Sequence, residues 1–103
     1  MAKFFVKWQM DPARIPSDPE ERVKSWLLLA EMVKADMEAG KVKDFGIAAG
    51  GGWGYAVREE ASEAELFTAL LKWQPFIGFE VTPVLKVEQA VESIKKAAAA
   101  AMK

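Results

Sequence analysis

Residues 42–59, VKDFGIAAGGGWGYAVRE, contain two strand-like runs joined by three consecutive glycines. Such a linker is typical of a β-hairpin turn, because glycine adopts the backbone angles that tight turns require. A phosphate-binding loop would need a helix after the glycines, and an aromatic run follows them instead. The sequence therefore predicts a hairpin made of strands over residues 42–49 and 53–59.

The register of this hairpin decides which side chains share a face of the sheet, because successive residues of a strand point to opposite sides. With the turn centred on Gly50 and Gly51, one face is expected to carry Asp44, Gly46, Ala48, Trp53, Tyr55 and Val57. The opposite face is expected to carry Lys43, Phe45, Ile47, Gly54, Ala56 and Arg58.

A strand and a helix are predicted before the hairpin. The strand covers residues 3–10, where apolar residues at 4, 6, 8 and 10 form one face. The helix begins at the capping box Ser17-Asp18-Pro19-Glu20, because a serine hydroxyl and a glutamate three residues later can satisfy free backbone N–H groups. It ends at Gly40, a residue type that commonly terminates helices.

The same order follows the hairpin. A second capping box begins at Ser62, and its helix is expected to end before Pro75. A strand over residues 76–85 comes next, and Pro83 marks either an edge strand or the end of the strand, because proline has no N–H to donate. A third helix over residues 87–102 completes the chain.

The order strand-helix-strand-strand-helix-strand predicts an α+β protein with the ferredoxin-like fold and an added C-terminal helix. Right-handed crossovers place the first and third strands at the centre of a four-stranded antiparallel sheet, with the first two helices on one face. A chain of 103 residues forms one domain, covering residues 1–103. The second face of the sheet, here named the open face, must meet water, a ligand or another sheet.

The first helix has apolar residues on two sides. One side is expected to pack on the sheet and consists of Val23, Trp26, Leu27, Ala30, Val33 and Met37. Three further apolar residues, Leu28, Leu29 and Met32, lie on roughly the opposite side. They predict an oligomer interface, because a contiguous exposed apolar patch usually contacts another protein. The alternatives are a different helix rotation, or cover by the terminal helix.

Composition excludes several kinds of site. The chain has no cysteine and no histidine, so thiol chemistry and the commonest metal ligands are absent, and no cofactor or metal is expected. Its 14 basic and 15 acidic residues give a net charge of −1, which does not favour a nucleic-acid partner. No apolar run approaches the length of a membrane span, and the N-terminus does not resemble a signal peptide. A cytoplasmic protein is therefore expected.

The run Trp73-Gln74-Pro75-Phe76-Ile77-Gly78-Phe79-Glu80-Val81 resembles the helix-to-strand junction of muconolactone-isomerase-like proteins. The opening Phe4-Phe5-Val6-Lys7 and the hairpin segment Trp53-Gly54-Tyr55 are also similar to that group. The resemblance covers residues 3–85. It implies membership of the dimeric α+β barrel superfamily, whose members pair two open sheet faces across a two-fold axis, often within larger rings. No catalytic motif matches residue by residue, so the resemblance implies no mechanism.

Polar side chains expected on the open face form the candidate site. A carboxylate enclosed by dimerisation has a raised pKa and becomes a useful general base. The candidate catalytic groups are Glu80, Asp44 and Tyr55. The candidates for substrate binding are Lys7, Gln9 and Trp53, with Lys7 placed to hold an anion. In the alternative interpretation, Lys7 and Glu80 form a cross-strand ion pair and Tyr55 anchors a dimer.

Two functions of different classes remain open. The first is a homo-oligomeric module whose main property is assembly, either natural or a natural scaffold modified for assembly. It would dimerise through the open face and reach higher order through Leu28, Leu29 and Met32. The second is a cofactor-free, isomerase-like enzyme that acts on a small organic acid or lactone. A haem-binding barrel is disfavoured, because no histidine is present to bind iron.

Overall fold

The computed structural model describes residues 1–74 and 76–102. Its four strands form one sheet in the order β2-β3-β1-β4, with every neighbouring pair antiparallel. This order confirms the ferredoxin-like fold, with β1 and β3 at the centre and β4 at an edge. The elements are β1 (Ala2–Met10), α1 (Pro19–Glu38), β2 (Val42–Ile47), β3 (Trp53–Glu60), α2 (Glu63–Leu70), β4 (Ile77–Val84) and α3 (Val87–Ala101). Short 3-10 turns cover Pro12–Arg14 and Leu71–Trp73.

The core lies on the sheet face that α1 and α2 cover. Alternation along β1 buries Phe4, Val6 and Trp8, while the residues between them remain exposed. Leu66 and Leu70 of α2 pack onto this face. Removing these large apolar side chains from water is the main stabilising contribution to a domain of this size.

The predicted hairpin register is confirmed at all but one position. Asp44 pairs with Val57 and Gly46 with Tyr55, as expected for a turn at Gly50 and Gly51. A bulge between Val42 and Asp44 shifts the start of β2. Val42 therefore lies opposite Arg58 and is buried in the core, whereas Lys43 forms an ion pair with Glu59. The prediction that Lys43 shares a face with Arg58 was wrong, because the bulge adds one residue to the strand.

The helix boundaries are close to those predicted, but one cap differs. Asp18, and not Ser17, caps α1, because its carboxylate accepts from the backbone N–H of Glu21 at 3.1 Å. Ser62 caps α2 as predicted, accepting from the N–H of Glu65 at 3.2 Å. Gly40 ends α1 with a φ of 77°, the left-handed region that glycine occupies without strain. The prediction concerning Pro75 falls outside the described residues.

The rotation of α1 about its axis differs from the prediction. Leu29, Met32 and Val33 pack against the core, so Leu29 and Met32 do not belong to an exposed patch. Leu28 remains 64% exposed, and Val23 and Leu27 of the side expected to face the core are exposed as well. Trp26, expected in the core, is also exposed. Apolar residues lie on two sides of this helix, so the pattern alone did not determine its rotation.

α3 extends away from the rest of the molecule. None of its residues is buried, and it makes few contacts with the other elements. The molecule consequently measures 66 × 25 × 23 Å. No helix within residues 1–74 and 76–102 has both the length and the apolarity to cross a membrane.

Candidate functional site

The open face brings together the side chains that the sequence assigned to a site. On this face Lys7 of β1 lies between Tyr55 of β3 and Glu80 of β4. Gln9 and Trp53 are the next pair along the same strands, and Asp44 projects from β2. The prediction that one face of the sheet carries Lys7, Asp44, Tyr55 and Glu80 is therefore confirmed. The roles assigned to them stay predictions.

A hydrogen bond joins Tyr55 and Asp44 across β2 and β3. The Tyr55 hydroxyl donates to a carboxylate oxygen of Asp44 at 3.1 Å. This bond, together with the negative charge of Asp44, raises the pKa of Tyr55 above its ordinary value. The phenol therefore remains protonated at neutral pH and serves as a hydrogen-bond donor. Gly46 permits the arrangement, because a Cβ at this position would overlap the Tyr55 ring.

Lys7 contacts an aromatic ring. Its ammonium lies 5.3 Å from the ring centroid of Trp53, a cation–π contact. Among the described residues, no carboxylate lies within 4.0 Å of this ammonium, so the alternative ion pair with Glu80 does not form. Phe5 stacks on Tyr55 at 6.0 Å beside it. The centre of the open face thus combines a free cation with exposed aromatic surface.

A second charged cluster lies where α3 leaves the sheet. Glu59 accepts from Lys86 at 2.8 Å and also pairs with Lys43 at 3.4 Å. The hydrogen bond from Lys86 is the main cause that lowers the pKa of Glu59, with partial burial opposing it. These contacts attach the start of α3 to the sheet. Sequence reasoning missed this cluster, because the bulge at Lys43 and the path of the chain after β4 have no local sequence signal.

An ion network lies on the opposite, core face of the sheet. Arg58 donates to Asp36 of α1 and to Glu60, each at 3.1 Å, and both Arg58 and Glu60 are buried. Lys72 also donates to Asp36 at 2.8 Å. Buried charges require such pairing to offset the loss of hydration. The sequence does contain a signal for this network. Ala56, Arg58 and Glu60 alternate along β3, which places two charged residues on the face that carries the core.

The open face offers a lysine ammonium, a phenol donor and two carboxylates, all accessible to solvent in the single chain. Water screens such groups, so chemistry at this face would require a cover that excludes water. No three acidic side chains in the described part of the chain lie close enough together to hold a metal ion.

Comparison with known proteins places the chain in a family. A model of the DUF3303 family, described as a domain of unknown function, matches residues 2–98. The chain belongs to the DUF3303 family. That match includes all four strands and most of α3, so the family resemblance extends over the open face and the projecting helix. None of the curated proteins compared with the chain is significantly similar to it.

Proposed function

We propose that this DUF3303 protein works as a homodimer of the muconolactone-isomerase-like type, in which two open faces pair into an α+β barrel. One observation carries the proposal. The apolar row of α3, formed by Val87, Val91, Ile94 and Ala98, contacts almost nothing of its own chain. Val87 is 69% and Ile94 67% exposed. An exposed amphipathic helix of this kind is stabilised by packing on another surface.

The available area supports a second copy as the partner. Four strands ~4.8 Å apart and ~25 Å long present ~500 Å² of open face. An apolar row on a 15-residue helix adds ~200 Å². The sum approaches the ~800 Å² that each partner buries in a standard stable complex.

In a two-fold dimer, both chains present the same helix and the same face, so each contact is made twice. We place α3 of each subunit against the partner, where it helps to cover the open face.

The test is the mass of the native particle, measured by light scattering after gel filtration. We expect about twice the mass of one chain. Ile94→Ser removes a side chain worth about 2 kcal/mol when buried, and a dimer contains two of them. The dissociation constant should therefore rise on the order of 1,000-fold.

Glu92→Ser is the matched control, because it changes the polar side of the same helix. It should leave the dissociation constant close to that of the wild type, and circular dichroism should show that all three proteins are folded. A monomeric wild type would contradict the proposal. So would an Ile94→Ser variant that associates as tightly as the Glu92→Ser control.

Exposed apolar residues on α1 support further assembly beyond the dimer. Leu27 and Leu28 are adjacent and both exposed, on the helical side of the molecule. This side lies away from the open face, so a contact there would join dimers into a larger closed particle. Of the patch predicted from the sequence, Leu28 remains exposed for such a contact, whereas Leu29 and Met32 pack against the core. A mass well above that of a dimer would support this second contact.

A second candidate function is binding of a small organic acid at Lys7. The observation that favours it is the Lys7 ammonium, which lies over Trp53 and has no carboxylate within 4.0 Å in the described part of the chain. In a dimer, this cation would lie in a cleft of reduced dielectric, where it attracts an anion more strongly. Asp44, Tyr55 and Glu80 would then supply the groups for proton transfer, as in the isomerase-like enzyme predicted from the sequence.

Benzoate titration, followed by the NMR signal of the Trp53 indole, tests this second function. We expect saturable binding that weakens at least tenfold in Lys7→Gln, because the charge that attracts the anion is removed. Lys3→Gln is the control, since Lys3 lies on the same strand and face but two pairs away. Equal affinity in both variants would contradict an anion site at Lys7.

A further inference from the structure

A large cavity lies between α1 and the core face of the sheet, on the side opposite the open face. Its volume is about 790 Å³. Val6, Trp8 and Phe45 line it from the sheet, and Leu29 and Val33 line it from α1. It exists because α1 contacts the core through only part of its length and buries none of its residues completely.

The walls of this cavity are aromatic and aliphatic. Trp8 and Phe45 are stacked at 5.7 Å with nearly parallel rings, and Trp26 lines the cavity from α1. At one end lie Gly50 and Gly51, where an added Cβ would meet nothing within 4 Å.

The charged groups of the lining are already paired. Arg58 and Asp36 both line the cavity, and they bond to each other at 3.1 Å. Arg58 also bonds to Glu60, and Asp36 to Lys72. Lys34, the third charged residue of the lining, is exposed and pairs with Glu31 at 4.0 Å. An anionic ligand beside Arg58 would meet two carboxylates, and a cation would meet the guanidinium. The lining therefore favours a neutral molecule over a charged one.

Two buried donors of the lining have no acceptor among the described residues. They are Nε1 of Trp8 and Nε of Arg58, in side chains that are 6% and 4% exposed. Buried N–H groups without a partner are uncommon in folded proteins. Both nitrogen atoms are almost completely covered, so an acceptor oxygen of a ligand would satisfy one of them only where the wall moves to expose it.

The cavity is partly open to solvent, so water can enter it. Water inside it would find few polar partners. The volume falls within the range of ~300–1,000 Å³ typical of small-molecule sites. We propose that this cavity binds a neutral aromatic or polycyclic molecule that carries one hydrogen-bond acceptor. This site is independent of the proposed dimer and of the anion site at Lys7.

The test uses 6-propionyl-2-(dimethylamino)naphthalene, a neutral aromatic ketone whose carbonyl accepts a hydrogen bond and whose emission shifts to shorter wavelength in apolar surroundings. We expect saturable binding of one probe per chain. Ala30→Phe places a ring in the cavity from α1 and should weaken binding at least tenfold. Ala35→Phe is the matched control, because Ala35 is on the same helix but does not line the cavity. It should bind like the wild type.

A second measurement needs no variant and therefore does not depend on the folding of Ala30→Phe. The chain has four tryptophans, and each indole N–H gives its own NMR signal. Probe in the cavity should shift the signals of Trp8 and Trp26 and leave that of Trp53 unchanged, since Trp53 lies on the open face. Three results would overturn the proposal. They are a shift of the Trp53 signal alone, the absence of saturable binding, and an equal loss of probe affinity in Ala30→Phe and Ala35→Phe. Loss of binding in Ile94→Ser would also overturn it, because the probe would then occupy the dimer interface.

Discussion

At the scale of single residues, two short-range contacts determine the chemistry of the open face. The phenol of Tyr55 is held by Asp44, and the ammonium of Lys7 lies over Trp53. Both pairs join side chains on neighbouring strands, so they depend on the strand register. The first pair keeps a proton on Tyr55, and the second leaves a positive charge available to an anion.

The raised pKa of Tyr55 leads to a direct prediction. Tyr55 is the single tyrosine of the chain, so ultraviolet absorbance of tyrosinate reports its titration alone. We expect its midpoint above the ordinary tyrosine value of about 10. The pair stabilises the fold fully below that ordinary pKa, and its contribution is lost as pH rises through the raised pKa.

Asp44→Asn removes the charge and should return the midpoint toward the ordinary value. Glu80→Gln is the control, because it also removes a carboxylate from the open face but has no bond to Tyr55. A midpoint that is the same in wild type and Asp44→Asn would show that the hydrogen bond does not persist in solution.

At the scale of elements, the β2–β3 hairpin depends on close packing at Gly54. A Cβ at Gly54 would overlap the backbone oxygen of Gly46 and the indole of Trp8. The backbone angles of Gly54 are ordinary, so steric overlap alone makes glycine necessary here. The indole of Trp8 can therefore lie against the strand and stack on Phe45.

We predict that Gly54→Ala destabilises the protein by about 1–3 kcal/mol, the usual cost of an overpacked core. Gly50→Ala is the matched control, because it lies in the same hairpin with nothing within 4 Å of the added Cβ and without a positive φ. Its effect should stay within ~0.5 kcal/mol. Denaturant unfolding gives both free energies, and equal values would contradict the packing assigned to Gly54.

At the scale of the whole molecule, the projecting α3 dominates the shape. The radius of gyration is 17.5 Å, whereas a compact domain of this length has about 13 Å. A chain that buries little of one helix has a reason to associate, since small domains bury a limited fraction of their apolar surface alone. The shape and the proposed dimer are therefore consistent.

Small-angle scattering of the Ile94→Ser variant, proposed above to dissociate the dimer, tests this shape. Its monomer should have a radius of gyration near 17.5 Å, because α3 has little surface of its own chain to pack on. A value near the compact ~13 Å would mean that α3 folds back onto its own subunit. In that case the apolar row would not be available to a partner.

The sequence by itself determined the kind and order of the elements, because caps, glycines and apolar alternation act over a few residues. It also placed Lys7, Asp44, Tyr55 and Glu80 on one face, since a glycine turn and the two-residue period of strands specify the register.

The tertiary structure alone decided the rotation of α1, which has apolar residues on two sides and takes its orientation from the sheet beneath it. It also decided the bulge that turns Lys43 toward Glu59, the bond between Tyr55 and Asp44, and the cavity under α1. Each of these depends on how side chains of neighbouring elements pack in three dimensions, and no local sequence pattern specifies that packing.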